Sequence, residues 1–285
     1  MDSISATAGV PSEPHGPGPR RMKRRLLIVL QCWQGDKEMA MKVGRLLADI
    51  EEQPSQIADV MLSFKQCSPD MDTANYMARK FGQVHIYQPS RVSTGWPASC
   101  NDTFFQSYGH FFTQCRSGVW DYDVALFIEP DVVPLTRNWI EVLRDEWYAS
   151  AKHVVGALYV PPNAQSYQRP HINGNLMIGW KFAKDVKGFH SCPTAVGWDA
   201  FWSKELLRHG MPSHYIYSDY ARKSITCEEL FAKKNLPPSH PYIATGIQPV
   251  LYHGIKSLDA FNCVARRFGL YGEMESLAPA HQTIP

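Results

Sequence analysis

The stretch that decides the fold prediction is Asp121-Tyr-Asp-Val-Ala-Leu-Phe-Ile-Glu-Pro-Asp-Val-Val-Pro-Leu135. Its apolar run, residues 124–128, is typical of a strand that is buried on both faces of a parallel sheet. Pro130 lacks a backbone N–H, so the hydrogen-bonded ladder is expected to end there. The carboxylates of Glu129 and Asp131 would then lie at the carboxyl edge of the sheet, where open α/β sheets bind ligands. Because Mg²⁺ and Mn²⁺ take carboxylate and phosphate oxygens, we expect a metal-diphosphate site there.

Strands and helices alternate along the chain on both sides of this stretch. Apolar runs predict the strands, and amphipathic periodicity predicts the helices. Before the stretch, the predicted elements are strand 26–30, helix 37–52, strand 57–64, helix 72–81, strand 84–87 and helix 101–115. After it, they are helix 139–148, strand 154–159 and strand 171–179, which begins with an Asn-Gly turn. This alternation predicts the α/β class, with a doubly wound, mostly parallel, Rossmann-like sheet flanked by helices.

Length and composition are those of one globular domain. The 285 residues are 44% hydrophobic and 20% charged, which is enough material for a sizeable core. We expect a disordered N-terminal tail at 1–21, a single domain at 22–275 and a C-terminal tail at 276–285. The net charge of +2 creates no overall field that would mark a nucleic-acid or membrane partner.

The cysteines and the hydropathy pattern predict a cytoplasmic location. The seven cysteines are scattered, odd in number and without a Cys-x-x-Cys pair, which favours a reducing compartment and no structural zinc. No apolar segment approaches the ~18 residues that a membrane span needs. A basic cluster at 20–25 precedes five apolar residues, fewer than the ~7–15 of a signal peptide. We therefore expect a soluble protein with no signal peptide and no transmembrane segment.

A second polar group, His253-Gly-Ile-Lys256, follows a short apolar run near the C-terminus. A neutral imidazole can complete a divalent metal site, and a lysine three residues later can bind diphosphate oxygens as a point charge. Gly254 would let the backbone approach the phosphates closely. Each motif also has a plainer interpretation. The histidine would then be an incidental residue of a C-terminal loop, and Glu129 and Asp131 would be two solvated acids in a surface turn.

The first predicted strand ends in the polar, turn-forming sequence Gln31-Cys32-Trp33. The end of the first strand is a natural nucleotide position in doubly wound folds, although Trp33 would equally suit the core. The sequence lacks the glycine-rich phosphate loops of P-loop NTPases and of dinucleotide oxidoreductases. It also lacks the Gly-x-Ser-x-Gly elbow of serine hydrolases. These absences argue against all three classes of enzyme.

Two positions in the second half of the chain each have a functional and a structural interpretation. Asp199 opens a predicted helix. It is either a base or orienting residue near the transferred group, or a charge that interacts with the helix macrodipole. Asn173 and Gly174 would contact the donor or the acceptor, or else form a tight turn, for which Asn-Gly is the commonest dipeptide. The residues alone leave both alternatives open.

Together these motifs resemble those of the GT-A fold glycosyltransferases, which use nucleotide-sugar donors. The resemblance covers roughly residues 25–260. The matching features are the polar end of the first strand, the helix entered through Ser99 and Asn101, Glu129-Pro130-Asp131 in the place of that fold's Asp-x-Asp motif, Asn173-Gly174 before an apolar strand, and His253-Gly-x-Lys256. The last is similar to the C-terminal His-Gly-x-Lys motif of glycogenin-like enzymes.

This resemblance implies roles for the candidate residues. Asp131 and His253 would hold Mn²⁺ or Mg²⁺ against the donor diphosphate, and Glu129 would contact the metal through water or reach the donor ribose or sugar. The other donor-binding residues would be Gln31, Cys32, Trp33, Ser99, Asn101, Gly254 and Lys256, and the catalytic residues would be Asp199 and Asn173. The sequence departs from the family pattern in its acidic motif, which begins with Glu and has a central Pro, and in having Gly-Trp-Asp where we would expect Asp-Gln-Asp.

The resemblance therefore implies a metal-dependent hexosyl- or pentosyltransferase that moves a sugar from a nucleotide-sugar donor, a UDP-sugar, to an acceptor hydroxyl. The acceptor would be a small molecule, a glycan, a protein or a hydroxymethylated DNA base. DNA is included because kinetoplastid and phage enzymes that glucosylate hydroxymethylpyrimidines are also similar to GT-A proteins. The alternatives are a non-catalytic nucleotide-sugar or glycan-binding protein of the same fold, and a nucleotidyltransferase.

Overall fold

The computed structural model describes residues 25–90, 93–160, 169–218, 230–231, 247–255 and 258–270. Its strands are β1 (Leu26–Trp33), β2 (Ala58–Lys65), β3 (Val84–Tyr87), β4 (Val124–Ile128), β5 (Val132–Pro134), β6 (Val154–Tyr159), β7 (His171–Gly179), β8 (Gly210–Pro212), β9 (Ile216–Ser218) and β10 (Leu251–His253). Its helices are α1 (Lys37–Ile50), α2 (Pro54–Ile57), α3 (Met71–Ala78), α4 (Ala98–Arg116), α5 (Trp139–Ser150), α6 (Phe182–Asp185), α7 (Trp198–Phe201), α8 (Ser203–His209) and α9 (Leu258–Arg267). The predicted tails at 1–21 and 276–285 lie outside the described residues.

Seven strands form one sheet in the order β3-β2-β1-β4-β7-β6-β8. The pairs β1–β2, β1–β4, β2–β3 and β6–β8 are parallel. The two pairs that involve β7 are antiparallel, so β7 alone among these strands runs in the opposite direction. This arrangement confirms the predicted fold class, an α/β protein with a mostly parallel sheet flanked by helices.

The strand β1 is buried between helices because its apolar side chains alternate between the two faces of the sheet. On one face, Leu26, Ile28 and Leu30 share a core with apolar residues of α1. On the other face, Leu27 and Val29 share a core with aromatic residues of α4. The residues of β4 divide between the same two cores. This double burial explains the apolar runs of both strands and places their carboxyl ends side by side.

A second sheet, which we did not predict, has three strands in the order β5-β10-β9. β5 pairs antiparallel with β10, and β10 pairs parallel with β9. Each strand has only three residues, which is too short for a period-2 pattern to be recognised. Because β5 follows the Glu129–Asp131 turn directly, this sheet brings β10 next to the acidic motif.

Two local predictions were wrong, and both errors concern polar residues inside strands. β1 continues through Gln31–Trp33, which was predicted to be a turn, because these residues pair with 63–65 of β2. Asn173 and Gly174 lie within β7 and form no turn. The register between β6 and β7 shifts between Gly156 and Leu158, so the Asn-Gly pair occupies an irregular part of the strand. The pairing of the residues that flank them, 171–172 with β6 and 176–179 with β4, holds Asn173 and Gly174 in the strand despite their local turn preference.

Glu51 connects the end of α1 to the start of α5. Its Oε2 accepts a hydrogen bond from the Ile140 N–H at 3.0 Å, and its Oε1 accepts one from the Glu52 N–H at 3.3 Å. Glu51 is 7% exposed. Burial raises the pKa of its carboxyl from 4.5 to about 7, although both N–H donors favour the charged form. Glu51 is therefore a buried group whose charge depends on pH near neutrality.

The cysteines depart from expectation at one position. Among the described residues the free thiols are Cys32, Cys67, Cys100, Cys115 and Cys192. Cys263 is disulfide-bonded, so the expectation of reduced cysteines is wrong at that position. None of the helices in the described ranges has the length and apolar character that crossing a membrane requires.

Candidate functional site

A cleft of about 580 Å³ opens at the carboxyl ends of β1 and β4. Its volume lies within the roughly 300–1,000 Å³ of small-ligand pockets. The lining residues come from the end of β1, the turn after β4 and the start of α4, and include Gln31, Cys32, Trp33, Asp36, Ser99, Cys100, Glu129 and Asp131. The cleft therefore lies at the sheet edge where the sequence pattern predicted a ligand site.

Glu129 and Asp131, which line this cleft, meet His253 from β10. The Nε2 atom of His253 lies 3.1 Å from Glu129 Oε2 and 3.1 Å from Asp131 Oδ1. One potential ligand atom from each residue lies within 4.8 Å of the others. His253 is 1% exposed and Asp131 is 9% exposed. The structure thus brings together the two motifs that the sequence analysis treated as halves of one site; we call these three residues the triad.

The electrostatics of the triad favour a cation. Burial would lower the pKa of His253, but the carboxylates of Asp131 and Glu129 raise it to about 9. A proton on the imidazole therefore balances part of the negative charge of the two acids. A divalent ion can replace that proton, because a metal-bound histidine is neutral and carboxylate oxygens suit Mn²⁺ and Mg²⁺. Two carboxylates and one buried imidazole are therefore a donor set that fits a divalent metal.

The backbone after β10 fixes Asp131 relative to His253. The N–H groups of Gly254 and Ile255 both donate to the carbonyl oxygen of Asp131, at 3.1 Å and 3.0 Å. Gly254 has a φ of +117°, a conformation that residues with a side chain rarely adopt. This backbone position therefore requires glycine. Lys256, the predicted diphosphate ligand, lies outside the described residues.

Two polar residues that the sequence analysis missed, Ser218 and Asn175, position the triad. Ser218 Oγ lies 2.8 Å from His253 Nδ1 and accepts a hydrogen bond from Asn173 Nδ2 at 2.9 Å. Asn175 Nδ2 donates to Glu129 Oε2 at 3.3 Å, and Asn175 Oδ1 accepts the Glu129 N–H at 2.9 Å. The only sequence signal for Asn175 was a polar residue in an apolar strand, and Ser218 had none.

Asn173, predicted as a catalytic residue, is completely buried. Its Oδ1 accepts the N–H of Asn175 at 2.9 Å, and it does not line the cleft. Its place in the structure is therefore behind the triad. At the neighbouring Gly174, a Cβ would lie 3.2 Å from Glu129 Oε1. The lack of a side chain at Gly174 thus leaves room for the Glu129 carboxylate.

The end of β1, where the sequence predicted a nucleotide position, forms one wall of the cleft. Gln31, Cys32 and Trp33 all line it. Trp33 is 48% exposed, so the alternative placement of Trp33 in the core is wrong. Trp96, which is 69% exposed, also lines the cleft. Exposed indole rings at a cleft can stack on a planar nucleobase.

Ser99 and Asn101 lie near the start of α4 but differ in their surroundings. Ser99 lines the cleft, and Lys65 Nζ donates to its carbonyl oxygen at 2.7 Å. Burial lowers the pKa of Lys65, which is completely inaccessible to solvent. Asn101 lines a second cavity instead. Its Oδ1 accepts the Trp198 N–H and its Nδ2 donates to the Val196 carbonyl, both at 2.8 Å, so it anchors the start of α7.

The second cavity, of about 320 Å³, adjoins the cleft and includes Asp199 in its lining. His171 Nε2 lies 3.6 Å from Asp199 Oδ2, and His171 Nδ1 lies 2.7 Å from the carbonyl oxygen of Arg169. Burial would lower the pKa of His171, but Asp199 raises it and the net shift is upward. Asp199 Oδ1 also accepts the N–H of Ala200 at 2.8 Å. Asp199 therefore contacts the start of α7 and also lines a cavity. Both interpretations that the sequence left open, the structural one and the functional one, are compatible with this position.

The structure is similar to several solved structures, whereas no family model and no curated protein matches the sequence. One is S. aureus TarS 1–349, at 13% identity and TM-score 0.44, covering 66% of this chain and 58% of that chain. Another is mouse xyloside xylosyltransferase 1 in its apo form, at 10% identity and TM-score 0.44, covering 81% and 97%. A third is glucosyl-3-phosphoglycerate synthase from Mycobacterium tuberculosis in complex with Mn²⁺, UDP and phosphoglyceric acid, at 10% identity and TM-score 0.44, covering 87% and 79%. The chain thus spans less than two thirds of the TarS fragment, and at these identities and TM-scores the likenesses do not assign it to a family.

Proposed function

We propose that the chain is a metal-dependent glycosyltransferase that moves a sugar from a nucleotide-sugar donor to an acceptor hydroxyl. The observation that carries this proposal is the convergence of Glu129, Asp131 and His253 beside a cleft of about 580 Å³. The same cleft has two exposed indole rings, that of Trp33 at the end of β1 and that of Trp96 just before α4. A nucleoside diphosphate combines a planar base with oxygens that bind a divalent cation, so its chemistry matches both ends of the cleft.

Each predicted donor residue has a role in this proposal. Asp131 and His253 would hold Mn²⁺ or Mg²⁺, and Glu129 would contact the ion directly or through water. Gly254 and Lys256 bind the diphosphate, the base of UDP lies against Gln31, Cys32 and Trp33, and Ser99 contacts the donor. When bound, the ion would neutralise charge on the departing diphosphate. Asn101 acts indirectly, through its hydrogen bonds to the start of α7.

Thermal stability with UDP and Mn²⁺ tests the binding half of the proposal. A ligand at 100 times its Kd that binds only the folded state adds about 2.7 kcal/mol to the free energy of unfolding. We expect UDP with Mn²⁺ to raise the melting temperature, and Asp131→Asn to remove most of the increase. Asp121→Asn replaces an exposed acid before β4 and should keep the increase. An equal increase in Asp131→Asn would contradict the metal assignment.

Turnover of UDP-glucose, UDP-galactose and UDP-xylose with Mn²⁺ tests the catalytic half. Slow hydrolysis of a UDP-sugar to UDP would support a transferase if Asp131→Asn and His253→Ala abolish it. Binding without any hydrolysis or transfer would instead identify a non-catalytic nucleotide-sugar-binding protein. Release of pyrophosphate from a nucleoside triphosphate would identify a nucleotidyltransferase. Small molecules, glycans, proteins and hydroxymethylated DNA are the acceptors to compare.

A further inference from the structure

The second cavity shares a wall with the cleft. Trp96, Cys100, Glu129 and Trp198 line both. Glu129 therefore faces both spaces, whereas Asp131 lines the cleft. A molecule in the second cavity would meet a donor held in the cleft across the Glu129 carboxylate. This is the position that a second substrate would need.

The described residues around the second cavity suit an uncharged ring. Three of them, Trp96, Tyr159 and Trp198, are aromatic. Trp198 is buried and stacks on Phe104, whereas the exposed Trp96 can stack on a flat base or pack against the C–H face of a sugar. Two are acids, Glu129 and Asp199, and none of the described lining residues is Lys or Arg. A phosphate or carboxylate on the substrate would meet the like charges of Glu129 and Asp199 there, and His171 is the described lining residue that could offset them. The lining therefore selects against an anionic ligand.

His171 provides a proton acceptor at this cavity. Its Nδ1 lies 2.7 Å from the carbonyl oxygen of Arg169, and a carbonyl oxygen can only accept, so Nδ1 carries a proton and donates it. In the neutral ring the lone pair is then on Nε2, which lies 3.6 Å from Asp199 Oδ2. This separation is longer than a hydrogen bond, so the lone pair of Nε2 is left to accept the proton of a hydroxyl group. The Asp199 carboxylate would stabilise the imidazolium that forms when Nε2 takes a proton.

We propose that the second cavity binds the acceptor, an uncharged ring with a free hydroxyl, and that His171 receives the proton of this hydroxyl while Asp199 stabilises the imidazolium that forms. This inference rests on the proposed function, because it places the acceptor beside the donor. The acceptor oxygen forms a bond to the reacting carbon of the sugar. The bond from that carbon to the diphosphate breaks and its electron pair leaves with the diphosphate. The hydroxyl proton passes to His171 Nε2.

Binding of two neutral rings tests the ligand class without the donor. The probes are phenyl β-glucoside and 5-hydroxymethyl-2′-deoxyuridine, each compared by calorimetry with its own phosphate monoester. We expect one neutral ring to bind about ten-fold or more tightly than its phosphate, a difference in Kd of one decade. The probe that binds also distinguishes a sugar acceptor from a nucleobase acceptor. Tighter binding of the phosphates, or no binding of either neutral ring, would overturn the proposed ligand class.

Transfer to the bound probe, with UDP-glucose and Mn²⁺, tests the role of His171. Loss of a general base lowers turnover by roughly 10²–10⁴-fold. We therefore expect His171→Gln to lower kcat for transfer by about 100-fold, with KM for the probe almost unchanged. His153→Gln replaces a histidine whose side chain is 42% exposed and is the matched control.

The outcomes separate this inference from the proposed function. A kcat in His171→Gln equal to that in His153→Gln would overturn the role of His171, even if the donor is bound and hydrolysed normally. If the unaltered chain binds a neutral probe but neither binds nor hydrolyses a UDP-sugar, the proposed function fails while the ligand class of the second cavity stands.

Discussion

Ser218 is expected to control the metal affinity of the triad without contacting the ion. Its Oγ lies 2.8 Å from His253 Nδ1 and 2.9 Å from Asn173 Nδ2. A histidine that binds a metal through Nε2 carries its proton on Nδ1, and the partner of that proton fixes the ring and raises its basicity. The change Ser218→Ala removes this partner but leaves all three triad residues in place.

The size of the effect follows from these contacts. Loss of the partner of a metal-binding histidine lowers metal affinity by about 10–100-fold. At about 1.4 kcal/mol for each factor of ten, this corresponds to about 1.4–2.8 kcal/mol of binding free energy. The metal-free fold also loses the contacts of Ser218 with Asn173 and with His253, each of which contributes about 0.5–1.5 kcal/mol. The losses in metal affinity and in stability should therefore be of similar size, so both are measured.

Calorimetric titration of Mn²⁺ in the presence of saturating UDP measures the change. Ser218→Thr keeps the hydroxyl and should bind Mn²⁺ almost as well as the unaltered chain. Ser117→Ala, an exposed position just after α4, is the control for the loss of a hydroxyl elsewhere. A Kd for Mn²⁺ in folded Ser218→Ala equal to that of Ser117→Ala would refute the reasoning, because His253 would then be oriented without Ser218.

Two further changes test the fold and the nucleotide position. Since the pKa of Glu51 rises from 4.5 in its ordinary state to about 7 in the fold, its ionisation destabilises the folded chain progressively between these values. Glu51→Gln should remove this loss. Between pH 5 and pH 8, the free energy of unfolding measured with denaturant should therefore fall by about 2–3 kcal/mol less in the variant than in the unaltered chain. An equal pH dependence in the two chains would contradict the raised pKa of Glu51. Trp33→Ala should weaken UDP binding by about 1–3 kcal/mol, the range for base–aromatic stacking, with little change in melting temperature because Trp33 is 48% exposed. Equal UDP affinity in a calorimetric titration would place the base away from Trp33.

The parts of the site that the sequence predicted are those carried by long buried strands. Residues 124–128 are apolar because β4 is covered on both faces, so the first polar residues after it, Glu129 and Asp131, had to reach the sheet edge. The same reasoning placed Gln31–Trp33 on the cleft, although it ended β1 too early. The pairing of Asp131 with His253 came from resemblance to a family pattern, because no local periodicity connects the two residues.

The parts that the sequence could not predict depend on tertiary contacts. The strands β5, β9 and β10 are too short to carry a periodic pattern. Ser218 is one hydroxyl whose importance depends on where β9 packs. His171 and Asp199 come from a strand and a helix, and their spacing in the chain does not reveal that they face each other. The Asn173-Gly174 dipeptide has turn chemistry, but its neighbours hold it in β7.

The three-stranded sheet also brings together two segments, β5 and β10, that are far apart in the chain. β5 and β10 pair with each other, and β6 to β9 with α5 to α8 lie between them along the sequence. The triad straddles this pair, because Asp131 precedes β5 and His253 ends β10. Local opening of the β5–β10 pair would therefore separate the triad residues. Hydrogen exchange at the Gly254 and Ile255 N–H groups would report both the opening of the pair and the separation of the triad. An ion held by the triad would thus act as a cross-link that ties together segments far apart in the chain.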